Sequence, residues 1–151
     1  MIGLSKTSGY ALRAAICLAN KRCAHGQIST IADCTGIPAP YLAKIFKRLK
    51  SAGLVECRRG PSGGVWLARP ASRISVLDIC DAIEGVDWLS PCLLGSQICA
   101  DERACALHAF WERERAAIRK HLSQRFISTM VHKDQPHRTT RRKTSSRRIA
   151  A

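Results

Sequence analysis

Between Cys92 and His108 the chain places four soft ligands, Cys92, Cys99, Cys105 and His108, in the pattern C-x6-C-x5-C-x2-H. Zinc knuckles use C-x2–4-C pairs and thioredoxin-like chemistry uses C-x-x-C; the sequence contains neither. Wide gaps on an irregular stretch suit an iron–sulfur cluster, which is larger than a single ion and has to be wrapped. Cys105 and His108 stand three apart at the predicted start of a helix, so they share a face there. A helix N-terminus stabilises negative charge and would favour the Cys105 thiolate. Zinc binding, and thiols without any cofactor, stay open on spacing alone. Asp101 and Glu102 read as solvated loop carboxylates, and Gly95 as a turn.

These residues need elements on either side to position them. Apolar periodicity predicts a helix over 105–130, with Trp111, Ile118, Leu122, Phe126 and Met130 in one stripe. Upstream, 86–104 reads as an irregular ligand loop. Residues 75–85 form a short helix capped by Ser75, with Val76, Ile79, Cys80 and Ile83 inward. Helices are also expected over 5–22, over 28–36 (starting at Ser29 and stopped by Gly36) and over 37–53. The last has Pro40 in its first turn and a core stripe of Leu42, Ile45, Phe46 and Leu49. Strands are expected at 54–58 and 65–68 around the Gly/Pro-rich loop 59–64.

The 151 residues are 46% hydrophobic, enough for one compact domain with appendages. The stretch 5–22 carries Arg13 and no convincing cleavage site, so it reads as part of the mature protein, and a cytoplasmic location is expected. Eight cysteines without an export signal point to reduced thiols. Cys17 and Cys80 fit core packing. Net charge is +14; the last twenty residues carry +6 and the other 131 carry +8, so the basic character belongs to the folded part as well. Such charge points to nucleic acid. Residues 132–151 are polar and basic and are expected to be a disordered tail that adds salt-sensitive affinity.

The predicted order is helix, short helix, tight turn, basic helix and hairpin. This is a mainly α fold with a small β-hairpin wing, a winged helix-turn-helix over 1–85, followed by a ligand loop (86–104) and a dimerisation helix (105–131). A helix with one apolar and one basic face can anchor in a core and still enter the major groove. The candidate DNA-binding residues are Pro40, Tyr41, Lys44, Lys47 and Arg48 on the helix, and Arg58, Arg59, Ser62 and Gly63 on the wing. An arginine on a thin loop suits a narrow minor groove. No Gly-rich phosphate loop, paired carboxylates or nucleophile–base set suggests an enzyme.

The segments "SKTSGYALRAAICLA", "IADCTGIPAPYLAKIFKRLKSAGLVECRRGPSGGVWLARP" and "DICDAIEG" resemble the Rrf2 family of bacterial transcription regulators, the group of IscR, NsrR and RirA. The resemblance covers about 3–130 and is most specific over 36–69. It implies a homodimer on a palindromic double-stranded DNA operator, usually as a repressor. It also implies that Cys92, Cys99, Cys105 and His108 hold an iron–sulfur cluster, since IscR-like members place a histidine three residues after the third cysteine. Three cysteines and a histidine favour 2Fe–2S. NsrR-like members bind 4Fe–4S with a carboxylate near the N-terminus, where this chain has Ser8 and Gly9. Other members sense by thiol oxidation or through a protein partner, which is the alternative for this chain. Three departures stand out: Val65 follows Gly63 and Gly64 where the family has tyrosine, Ala43 stands where IscR-like members carry glutamate, and the gap from Cys92 to Cys99 is one residue longer than in the IscR pattern.

Overall fold

The computed structural model describes residues 4–20, 26–60, 63–94 and 105–131. The first helix, α1 (Lys6–Ala19), is capped by Ser5, whose hydroxyl accepts from the Ser8 amide at 3.2 Å. It ends at Asn20, short of the expected residue 22. Next, α2 (Ile28–Thr35) starts one residue before the expected Ser29. It stops at Gly36, which takes the left-handed conformation (φ 66°) that releases the chain into the turn before α3. With Pro38 at its N-cap and Pro40 in its first turn, α3 (Ala39–Ser51) begins where a proline's fixed φ and missing N–H cost nothing.

The strands β1 (Val55–Arg58) and β2 (Gly64–Leu67) pair antiparallel, with Val55 opposite Leu67 and Arg58 opposite Gly64. The Val65 amide donates to Gly26 O at 3.0 Å, which ties the hairpin to the segment before α2. After a 3₁₀ turn (Ala71–Arg73), α4 (Val76–Glu84) opens on a capping box. Ser75 Oγ accepts from the Asp78 amide at 3.1 Å, and Asp78 accepts from the Ser75 amide at 2.8 Å.

The core is shared by all these elements. Leu42, Ile45, Phe46 and Leu49 of α3 meet Ala11, Ala14, Ala15 and Leu18 of α1, together with Ile31, Ile79 and Val65. Small residues on α1 let the bulkier α3 stripe approach closely, so the alanine-rich face of α1 is a packing surface.

The C-terminal region departs from expectation. Instead of one helix over 105–130, α5 runs His108–Ser123 and a separate 3₁₀ turn covers Ile127–Met130. Between them the chain leaves the helix and pairs with the segment before α4. The Val76 amide donates to Arg125 O at 2.7 Å, and the Ile127 amide to Ile74 O at 2.9 Å. The break places Ile127 at 0% exposure in the core beside α1, and that burial outweighs the hydrogen bonds a continuous helix would have kept. The apolar stripe is therefore divided: Trp111 is buried against its own chain, whereas Phe126 sits exposed at the break. Among the described residues no helix is long and apolar enough to cross a membrane.

Candidate nucleic-acid interface and ligand loop

The basic face of α3 is laid out as the amphipathic pattern requires. Leu42, Ile45, Phe46 and Leu49 are fully buried, which turns Tyr41, Lys44, Lys47 and Arg48 outward. Lys44, Lys47, Arg48 and Ser51 line an open groove of about 620 Å³, floored by Ala52 and Ala82. Pro40 is exposed at the helix entrance. Tyr41 is 43% exposed, yet its ring is held edge-on by Tyr10 of α1, with centroids 5.7 Å apart and planes at 88°. Lys6 and Arg13 lie 5.7 and 5.9 Å from the Tyr10 ring, and Arg13 also donates to Thr35 O. Sequence reasoning missed this α1 contribution. Its signal was Lys6, Tyr10 and Arg13 recurring at helical spacing along the first helix.

Arg48 differs from its neighbours. Its guanidinium donates to Ile83 O in the last turn of α4 at 2.9 Å, satisfying a carbonyl that has no partner within its own helix. In the hairpin, Arg58 and Arg59 are exposed, and Ser62 lies outside the described residues. The part played by Gly63 is steric. A Cβ there would meet Arg58 O at 2.3 Å and Gly60 O at 2.9 Å, so only glycine permits so tight a loop. The Gly63 amide closes that loop on Gly60 O at 2.9 Å, and Gly60 itself has φ 105°.

Of the four candidate ligands, Cys92, Cys105 and His108 fall within the described residues and Cys99 does not. Cys92 is half-buried, Cys105 exposed and His108 buried. Cys105 is not on the helix, as its spacing had suggested. It lies in the turn before α5, with its carbonyl accepting from the His108 amide at 2.9 Å. The shared-face argument for Cys105 and His108 is thereby replaced by a turn that folds one back on the other. A second bond closes the base of the loop: Trp111 Nε1–H donates to Pro91 O at 2.9 Å. Pro91 adjoins Cys92, and Trp111 stands one turn after His108, so this bond ties the first ligand position to the last. Leu94, Leu107 and Phe110 are exposed apolar residues around this region.

Two thiols of the head, Cys80 and Cys57, are held away from the thiolate form. Burial, and then the Asp81 and Glu84 carboxylates, push the Cys80 thiol up to about 11. Burial also raises Cys57, with Lys50 pulling partly against it. Both stay protonated at neutral pH, which makes them packing groups rather than sensors.

The donor set fits an iron–sulfur group on chemical grounds. It comprises thiols on both sides of a closed loop and an imidazole whose position is fixed by the first turn of α5. Among the described residues no three His, Cys, Asp or Glu side chains gather as a metal centre, and Cys99, the middle ligand, is outside that search.

Comparison with known proteins bears on this arrangement. A transcriptional regulator of Neisseria meningitidis is 35% identical over 106 residues, covering 70% of each chain. The solved structure of CymR, described as the global cysteine regulator of B. subtilis, superposes with a TM-score of 0.72 at 26% identity, covering 87% of this chain and 97% of that one. The IscR of T. potens gives 0.66 at 27% identity, with 86% of each chain covered. These relatives are transcription regulators, not enzymes. Residues 4–133 match the family model described as Rrf2, iron-dependent transcriptional regulator. With its winged helix-turn-helix, the chain belongs to the Rrf2 family of DNA-binding transcription regulators.

Proposed function

We propose that two copies of the chain bind a palindromic operator, and that an iron–sulfur cluster on Cys92, Cys99, Cys105 and His108 sets their affinity for it. In this reading α3 enters the major groove with Pro40 and Tyr41 leading, Lys44 and Lys47 meet phosphates or guanines, and Arg58 and Arg59 reach the minor groove. The supporting observation is the Trp111–Pro91 hydrogen bond, which ties the Cys92 end of the loop to the His108 end. Bound there, the cluster supplies a crosslink sensitive to iron, redox state or nitric oxide. The protein's part is mechanical. His108 begins α5, and the exposed face of α5 is available to a second copy, so a change at His108 alters the spacing of the two heads. Half-sites lie about one DNA turn apart, which makes affinity steeply dependent on that spacing.

Anaerobic purification followed by an absorption spectrum, an iron and sulfide assay and operator titration tests this reading. A coloured protein whose affinity changes on cluster loss is expected. A colourless, iron-free preparation, or equal affinities in the two states, rejects it. A second reading draws on the exposure of Cys105 and on the likeness to a cysteine regulator: sensing by thiol oxidation without a cluster. In that case peroxide treatment of iron-free protein would change operator affinity, and Cys105→Ser would abolish the change.

A further inference from the structure

The last turn of α4 is a junction. On one side Glu84 receives the Ser5 amide at 3.1 Å and the Ser8 hydroxyl at 2.5 Å, which fixes it to α1. On a second side Ile83 O receives the Arg48 guanidinium from α3. On a third, Asp81 takes a two-pronged bond from Arg119 of α5, Nη1 to Oδ1 at 3.3 Å and Nη2 to Oδ2 at 3.0 Å. Arg119 also donates to Val86 O at 3.1 Å, and Trp88 Nε1–H donates to Asp81 Oδ1 at 2.9 Å. Thus α3 and α5 are both fastened to the same four residues, 81–84.

We infer that Arg48 is a positioning residue rather than an operator contact, and that Arg119–Asp81 and Arg48–Ile83 act in series, so that α5 sets the tilt of α3 through the end of α4. Three observations carry this. Arg48 is committed to a helix-end carbonyl, where its positive charge also complements the negative end of α4. The Arg119–Asp81 pair is partly exposed, at 37% and 19%, so it adds little to stability. Its forked geometry instead fixes an angle between α4 and α5. Finally, Arg119 lies eleven residues after His108, about 16 Å along a continuous helix, so displacement at the start of α5 reaches Asp81 through a rigid rod.

The inference takes from the proposed function only that α3 reads the operator. Its test is a double-mutant cycle on operator affinity in the full-length, cluster-free protein, using Arg48→Gln, Arg119→Gln and the double variant, with melting curves to establish folding. If the two bonds act in series, the double variant loses about as much affinity as the more damaging single one. It then departs from additivity by about twofold or more, and the salt slope of Arg48→Gln matches wild type. Additive losses, unchanged affinity in either single variant, or a slope reduced by about 0.9, the signature of one lost phosphate contact, would overturn it. Should Arg48→Gln fail to fold, Arg48→Lys replaces it. That variant keeps a donor and the charge on a shorter side chain, so it is carried through the same cycle with Arg119→Gln: additive losses or a wild-type affinity with a lowered salt slope overturn the inference, and a non-additive loss supports it. Lys47→Ala in the same assay isolates the underlying reading: if it binds normally, α3 is not the reader, whereas additivity alone judges the series arrangement.

Discussion

The head built from α1 to α4 and the seam where residues 86–94 meet α5 are held by different forces. The head is closed by apolar burial: Phe46, Ile31, Leu42, Ile45, Ile79 and Ile127 are all essentially inaccessible. The seam depends on directional bonds, Trp111 to Pro91, Trp88 to Asp81 and Arg119 to Asp81. Of the sixteen residues in α5, only His108 and Trp111 are buried. Burial is non-directional and forgiving of small shifts, whereas hydrogen bonds are short-ranged and either made or broken. The division leaves a head that tolerates small shifts and a seam whose bonds are each either made or broken.

Replacements in the two regions should separate these forces. The largest effect is expected from Ile127→Ala, which empties a fully buried site and should lower stability by about 2–5 kcal/mol. Ile118→Ala, on the half-exposed side of α5, should cost less than about 1 kcal/mol. Urea melts of the two variants check the contrast, and similar losses would mean that the seam is as well packed as the head. Next in size, Gly63→Ala should strain the wing by about 1–3 kcal/mol, because the new methyl meets backbone that has no room to move. The measurement is operator affinity together with melting temperature.

Smaller effects probe each region's chemistry. Within the seam, the proposed cluster implies that Cys92→Ala lowers bound iron by more than half, while Cys80→Ala in the head leaves iron content unchanged; an iron assay on both decides. Lys47→Ala should weaken binding to all DNA sequences by a few fold and reduce the salt slope by about 0.9. The smallest effect concerns pH. Burial pushes the Glu84 carboxyl up, but the Ser5 and Ser8 hydrogen bonds and the Arg48 charge outweigh it and hold the group below its ordinary value. The unfolded chain therefore binds this proton first as pH falls. The stabilisation is complete above the usual glutamate pKa, near 4.5, and is lost as pH drops through the lower folded value. Glu84→Gln should flatten acid unfolding in that window alone, measured by melts from pH 6 to 3.

How much was legible beforehand follows the same division. The α3 stripe, the Gly36 stop, the Ser75 cap and the hairpin all announce themselves locally, because each depends on near neighbours in sequence. The break after Ser123 does not. Phe126, Ile127 and Met130 satisfy helical spacing, and only the open edge at Ile74 and Val76, some fifty residues earlier, draws them off the helix. Cys105 was misplaced onto a helix for a related reason: no capping residue marks the start at His108, where Leu107 stands at the N-cap. The junction at 81–84 was invisible because Arg119 looks like a solvated charge, and Arg48 like a DNA contact, until their distant partners are known.

The clasp of Ile127 onto Ile74 also bears on how the molecule is made. A ribosome delivers α1 to α4 first, yet their shared core lacks one wall until residue 127 has emerged. The core of the reading head is therefore complete only once α5 has been synthesised. A chain interrupted within α5 would lack Ile127 and leave uncovered the apolar surface that this residue closes.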